Sequence, residues 1–287
     1  MHYVLALIAG ALVSLLIVMN GGLALEYGLF SSMVVLHVVG FIPISLFIWY
    51  KSEKLIRPKL PLSPYLGGAI NTIAILCASY AYRHISISAI LALGLLGQGF
   101  GGFILDHFSH FKIPKYQFSN RKLFGLLLIL LGTFTMIGGF VILPTILAFM
   151  GGVFFVISRT LNAKFAISTN TNVCIFYHYA TGLALSIMLF LVLGRAETSY
   201  PQFGIAPFAT HWYIYMGGLV GILVIVFLNT AVSKVPALYL SLIIFIGQVT
   251  AGIILDIIRL QSIPSPTLLI GAALVIFGLH VDLLLNE

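Results

Sequence analysis

The sequence predicts an all-α membrane protein of about ten transmembrane helices, arranged as two inverted five-helix repeats. Three observations predict this fold. The 287 residues are 61% hydrophobic and only 7% charged. Apolar runs long enough to cross a bilayer recur along the whole chain. Finally, the glycine and polar positions of one half of the chain match those of the other half.

The composition leaves no room for a soluble domain. Soluble domains carry roughly a quarter of their residues as charged side chains, because those side chains cover the water-facing surface. A bilayer span needs about 20 apolar residues, so this chain length allows roughly ten spans with short connections. We therefore expect the protein to lie in a lipid bilayer. The net charge of +7 does not indicate nucleic-acid binding, because the basic residues cluster in loops between apolar spans.

The apolar runs predict ten helices, with boundaries uncertain by several residues. These runs lack the alternation of apolar and polar residues that is typical of membrane β-strands. The predicted helices are 3–25, 29–50, 65–84, 86–109, 122–142, 144–165, 171–194, 212–234, 236–259 and 267–285.

The loop charges predict the orientation of the chain. Basic residues cluster in the loops after the second and fourth predicted helices, on the side of the N-terminus. By the positive-inside rule, we expect a multi-pass protein of the inner membrane with both termini in the cytoplasm. The clustered residues are Lys51, Lys54, Arg57, Lys59, Lys112, Lys115, Arg121 and Lys122.

The two halves of the chain repeat one pattern. Residues of the fourth predicted helix recur in the ninth, at one offset of 150 positions, and Gly10 and Asn20 recur as Gly152 and Asn162, at an offset of 142. An odd number of helices per unit makes the second unit enter the membrane from the opposite face, a recurrent plan in secondary transporters. The units are predicted as residues 1–142 and 143–287. The matching positions of the fourth and ninth helices are Gly97, Gln98, Gly102, Leu105 and Asp106 with Gly247, Gln248, Gly252, Leu255 and Asp256.

The repeated unit, with G-x9-N in its first helix and GQ-x3-G-x2-LD in its fourth, resembles the YdcZ-type inner-membrane exporters of the drug/metabolite transporter superfamily. The resemblance covers almost the whole chain, once per half, and implies a fused pair of five-helix units. It also implies a helix bundle with a central cavity in the bacterial inner membrane. It implies no particular substrate, and the second half departs from the pattern at Arg159.

Polar side chains inside apolar spans are the candidates for binding a solute, because each needs a partner or must face a cavity. Structural alternatives stay open for them: the amides can link neighbouring helices, the histidines can share a hydrogen bond in the core, and the arginine can reach for the membrane surface. A histidine could also carry a coupling proton, and an arginine facing the cavity would favour an anionic substrate. The candidates are Asn20, His37, Gln98, Arg159, Asn162, His178 and Gln248.

Three charged residues near helix ends are predicted to form gating or structural pairs. Asp256 has Arg259 three positions later, and Asp106 lies at the matching place in the first half. A carboxylate near a helix C-terminus opposes the helix dipole, so we expect a specific partner, which could lie on another helix.

No catalytic, nucleotide-binding or metal-binding pattern is found in the sequence. The sequence therefore predicts no enzyme, no metal and no cofactor. The function we expect is a secondary active transporter that moves a small solute by alternating access. The family label favours export. The alternative is a lipid flippase or scramblase, or another lipid-handling membrane protein.

Overall fold

Helices make up all the regular structure in the part of the chain that the structure describes. This computed structural model describes residues 2–55, 62–108, 141–194, 211–232, 237–261 and 266–284, together with 128, 131, 132 and 135. The all-α class predicted from the sequence is confirmed. An α-helix satisfies its own backbone hydrogen bonds, which is why an apolar chain in lipid adopts it.

The helices follow the predicted order. A short 3-10 turn precedes two of them, at Ser63–Leu66 and Trp212–Met216. The predicted helix 122–142 lies almost wholly outside the described residues. The helices are α1 His2–Tyr27, α2 Leu29–Tyr50, α3 Gly67–Tyr82, α4 Ile87–Phe108, α5 Ile142–Ser168, α6 Thr171–Leu193, α7 Gly217–Val232, α8 Ala237–Leu260 and α9 Pro266–Leu284.

Five segments of the described chain are long and apolar enough to cross a membrane. The apolar part of α4, Ile87–Gly102, is shorter. The other spans of the predicted ten stay a prediction. The five segments are His2–Tyr27, Leu29–Tyr50, Ile142–Ser168, Thr171–Leu193 and Trp212–Ala231.

Tight turns join the first two helices of each half. Gly28 separates α1 from α2 with φ at 85°, a left-handed conformation that glycine adopts without strain. At the corresponding turn, Asn170 caps α6, and its side-chain oxygen accepts a hydrogen bond from the Val173 N–H at 2.9 Å. Both turns allow consecutive helices to run antiparallel.

Glycines let two helices of one half approach two helices of the other half. A methyl group at Gly97 in α4 would overlap the Phe149 carbonyl oxygen of α5. A methyl group at Gly247 in α8 would likewise overlap the Leu7 carbonyl oxygen of α1. Small residues at such contacts let backbones pack closely where water supplies no driving force.

The contacts between the halves come in exchanged pairs. Helix α1 packs along α8 and α7, and α5 packs along α4 and α3, while α2 packs against α6. A side chain at Gly217 would overlap the Asn20 Oδ1 atom, and one at Gly67 would overlap the Asn162 Oδ1 atom. In each of these two contacts, a glycine of one half therefore packs against the asparagine of the other half, and the two contacts match in sequence.

The glycine contacts give a prediction with a control two residues away. Gly97→Ala should destabilise the protein by about 1–3 kcal/mol, because the added methyl group overpacks the α4–α5 contact. A Cβ at Gly99 has no atom within 4 Å, so Gly99→Ala should be neutral or slightly stabilising. Denaturant midpoints in detergent micelles measure both; equal midpoints for the two variants would contradict the contact.

Candidate solute cavity

A cavity of about 80 Å³ lies between six helices, α1, α2 and α3 of the first half and α5, α6 and α7 of the second. Helices α4 and α8 contribute no residue to its described lining. Its polar lining residues are Asn20, His37, Asn71, Ser158, Arg159, Asn162, His178, Tyr179 and Asn229.

Helix α5 contributes an amide that binds a histidine of α6. Ser158, Arg159 and Asn162 share one face of α5, because residues three and four apart are neighbours on a helix. Asn162 Nδ2 lies 2.9 Å from His178 Nδ1. Because the amide nitrogen can only donate, His178 Nδ1 accepts, and a neutral His178 carries its proton on Nε2. The Ser158 hydroxyl donates to the Gly67 carbonyl at 2.7 Å, which ties α5 to α3.

His37 uses both ring nitrogens within the protein. Its Nδ1 lies 2.7 Å from the Met33 carbonyl oxygen and 3.0 Å from Ser186 Oγ. The carbonyl can only accept, so Nδ1 carries the proton and Nε2 accepts from the Thr72 hydroxyl at 3.2 Å. His37 is 1% exposed and links α2 with α3 and α6.

The two histidines do not occupy matching positions. The ring of His37 lies against Gly182, and the ring of Tyr179 lies against Gly40. Since Gly40 and Gly182 match at the offset of 142, the counterpart of His37 is Tyr179. His178 therefore has no histidine counterpart in the first half.

Two donors in the cavity have no partner within the described chain. Arg159 makes none of the hydrogen bonds or ion pairs found among the described residues, although its side chain is partly buried. The Nδ2 atom of Asn229 is buried and makes no hydrogen bond there either. The Oδ1 atom of Asn20 is also without a hydrogen bond in that part of the chain, but it lies against Gly217.

Five of the seven predicted binding residues line the cavity, namely Asn20, His37, Arg159, Asn162 and His178. Gln98 and Gln248 do not belong to the described lining; they follow Gly97 and Gly247, where α4 and α8 pack against the other half.

Sequence reasoning missed three polar lining residues, Asn71, Tyr179 and Asn229. The available signal was an amide inside an apolar run, in NTIAILC and in VFLNTAV. Matching the two halves hides these residues, because Asn71 aligns with Gly221 and Asn229 aligns with Ser79 at the offset of 150.

The predicted charged pairs take partners in the other half. Asp256 is 3% exposed and accepts hydrogen bonds from the Ile87 N–H and the Ser88 N–H, both at 2.8 Å, and from the Ser88 hydroxyl at 2.6 Å. Its carboxylate therefore sits at the positive end of α4, where a negative charge is favourable. Arg259 donates to the Tyr82 carbonyl at 2.7 Å and stacks over the Tyr82 ring. The Asp106 side chain lies outside the described residues.

Further polar contacts join the halves at both ends of the bundle. At one end, Glu53 accepts hydrogen bonds from Asn170 Nδ2 at 2.6 Å and from Asn172 Nδ2 at 3.0 Å. At the other end, Tyr27 shares a hydrogen bond with Tyr215, next to an ion pair between Glu26 and His211.

The described residues hold no group of three His, Cys, Asp or Glu side chains that could bind a metal ion. The expectation that no cofactor is needed stays a prediction.

A bundle of long apolar helices with a cavity between them defines the class of a helical membrane protein. Comparison with known families then gives the particular group. The family described as "Putative inner membrane exporter, YdcZ" matches residues 1–135 and again residues 143–281. The chain belongs to this family, as the sequence motifs indicated, and the two matches are consistent with a fused pair of units.

The fold also resembles that of a solved structure described only as the crystal structure of a protein. The two share 17% identity, with a TM-score of 0.64 over 99% of this chain and 96% of the other. That likeness shows the fold alone. No curated protein matches the sequence.

The Asp256 contacts predict a cost for removing its charge. Asp256→Asn should destabilise the protein by about 1–3 kcal/mol, because an amide replaces a carboxylate that accepts three hydrogen bonds at a helix N-terminus. Glu26→Gln at the same end is the control, since the partly exposed ion pair of Glu26 is worth about 0–1 kcal/mol. Denaturant titration compares the two; an Asp256→Asn variant as stable as the control would contradict the capping role.

Proposed function

We propose that the protein is a secondary active transporter of the drug/metabolite transporter type, which exports a small solute across the inner membrane by alternating access. The observation that carries this proposal is the cavity with polar lining residues that lies between three helices of each half. A site at the interface of two repeats is the usual arrangement in secondary transporters. The family description, an inner-membrane exporter, favours outward movement.

The exchanged contacts support an inverted repeat of two five-helix units within about ten spans. Matching glycines pack against matching partners in the opposite half, as Gly67 does with Asn162 and Gly217 with Asn20. In such a pair, one half can adopt the conformation of the other, which turns an inward-open cavity into an outward-open one. The units are residues 1–142 and 143–287.

The polar contacts at the two ends are the elements that must break in turn. Opening the end at Glu53 requires the loss of its two hydrogen bonds to Asn170 and Asn172. Opening the other end requires the separation of Tyr27 from Tyr215. Each contact joins residues of different halves, so both are suited to close the cavity on one side at a time.

Proton coupling is part of the proposal, and His178 is the better candidate for it. Both nitrogens of His37 bind protein groups, whereas the hydrogen bond of His178 within the described chain uses only Nδ1. Titration of an imidazole inside a membrane can link solute movement to a proton gradient.

Counterflow in proteoliposomes tests transport. Vesicles are loaded with an unlabelled metabolite mixture, and entry of each labelled component is measured; saturable entry accelerated by the internal solute is expected. Asn229→Leu should lower that entry at least about tenfold, because it removes a polar group from the cavity. Thr230→Val is the control, since Thr230 is exposed and its hydroxyl binds the Val226 carbonyl within the same helix.

Entry that is independent of internal solute would contradict alternating access. A fluorescent-lipid assay on the same vesicles separates solute transport from lipid scrambling, since a scramblase would exchange lipid without any solute counterflow.

The inverted repeat and the cytoplasmic termini predict a labelling pattern. Ser63 and Tyr213 match at the offset of 150 and lie in equivalent short turns. In intact cells, a membrane-impermeant maleimide should label Tyr213→Cys, and it should label Ser63→Cys only after the membrane is opened. The two native cysteines are buried, so the parent protein serves as the blank. Labelling of both positions from one side would exclude an inverted repeat.

A further inference from the structure

The cavity carries a positive charge that no described lining residue neutralises. Arg159 of α5 lines the cavity, and the described lining contains no Asp or Glu. The acidic side chains that the structure describes are held elsewhere, Glu26 by His211, Glu53 by two asparagines and Asp256 by the start of α4. An unpaired charge inside a membrane protein is costly, and because no described residue compensates this one, it favours a bound solute of negative charge.

The cavity also offers donors that have no partner in the described chain. The Arg159 guanidinium has five N–H groups, and Asn229 adds a buried N–H group without a partner in the described chain. Of the acceptors in the lining, His178 Nδ1 already accepts from Asn162, whereas the Asn20 Oδ1 atom makes no hydrogen bond in the described chain. A group with several acceptor oxygens would satisfy both Arg159 and Asn229. An ionised carboxylate has this character and matches the planar guanidinium.

Charge balance and volume narrow the class of solute. One arginine balances one negative charge, whereas a phosphate monoester carries about −1.5 to −2 charges at neutral pH and would leave the cavity negative. The rest of the lining is mainly apolar, with Phe155, Val224 and Leu228 among its members. A volume of about 80 Å³ suits a compact solute.

We propose that the cavity binds a small monocarboxylate, with its carboxylate on Arg159 and Asn229 and its apolar body against α5 and α7. This assignment names the substrate class of the transport site and rests on the proposed function. It makes Arg159 a binding residue whose charge is compensated only when the solute is present.

Thermal unfolding of the purified protein in detergent tests binding without transport. The probes are sodium propionate, butyrate and lactate, each compared with its neutral amide and with sodium chloride at equal ionic strength. At least one acid should raise the melting temperature of the wild-type protein by about 2 °C or more. Its amide and chloride should not. In Arg159→Gln the acid should lose this effect, with affinity reduced at least about tenfold.

The melting temperature of the protein without solute gives a second readout. For this measurement, a binding role and a structural role of Arg159 predict changes of opposite sign. Because Arg159 is unpaired without solute, Arg159→Gln should leave the melting temperature unchanged or raise it. An arginine that only holds the bundle together would lower it. Lys164→Gln removes the same charge from the same helix outside the cavity lining, and it should leave the response to the acid intact. Arg159→Lys keeps the charge and should keep part of the response.

The outcomes separate this inference from the proposed function. Two results would overturn the monocarboxylate assignment. In one, chloride or the amides stabilise the protein as strongly as the acids do; in the other, none of the acids stabilises it. Counterflow of a neutral or cationic solute that is unaffected in Arg159→Gln would also overturn it while keeping the transporter. Acid binding that depends on Arg159 without any counterflow would keep the site and overturn transport.

Discussion

The close approach of backbones at glycines is the constraint on which the rest of the structure depends. Between helices in lipid, association relies on van der Waals packing, because no water is released from the contact. Gly97 seats α4 on α5, and Gly247 seats α8 on α1. Helices α1, α2 and α3 of the first half then pack against α5, α6 and α7 of the second half. The cavity lies between those six helices.

Much of this arrangement could be predicted from the sequence, because unpaired polar groups are energetically costly in lipid. Apolar runs have to be helical there, and a polar side chain within them needs a partner or a cavity. That rule selected Asn20, Asn162 and Arg159, which line the cavity. The repeated glycines also marked real contacts, since a small residue inside a span has a packing reason more often than a chemical one. Hydropathy does not predict which residue lies across each contact, because that depends on the tertiary structure.

The positions of the other candidate residues have the same physical origin. Gln98 and Gln248 were selected because they match between the halves. They lie on α4 and α8, which contribute no residue to the described cavity lining. Asn71 and Asn229 were missed because they do not match. Asp256 was expected to have a specific partner, which could lie on another helix, and its carboxylate caps α4 of the other half. Matching positions report what the two halves share, which is the packing of the scaffold.

The cavity itself breaks the match between the halves, and the proposed mechanism gives a reason. Exchange of conformations between two halves requires alike scaffolds, so the glycine contacts recur. A single small solute has no two-fold symmetry of its own, so the groups that recognise it need not recur. The position that matches Arg159 at the offset of 142 is Ile17. A second arginine there would add a positive charge that one carboxylate could not balance, at a high cost inside the membrane. Duplication therefore suits the moving frame, whereas recognition of a singly charged solute favours one arginine in only one half.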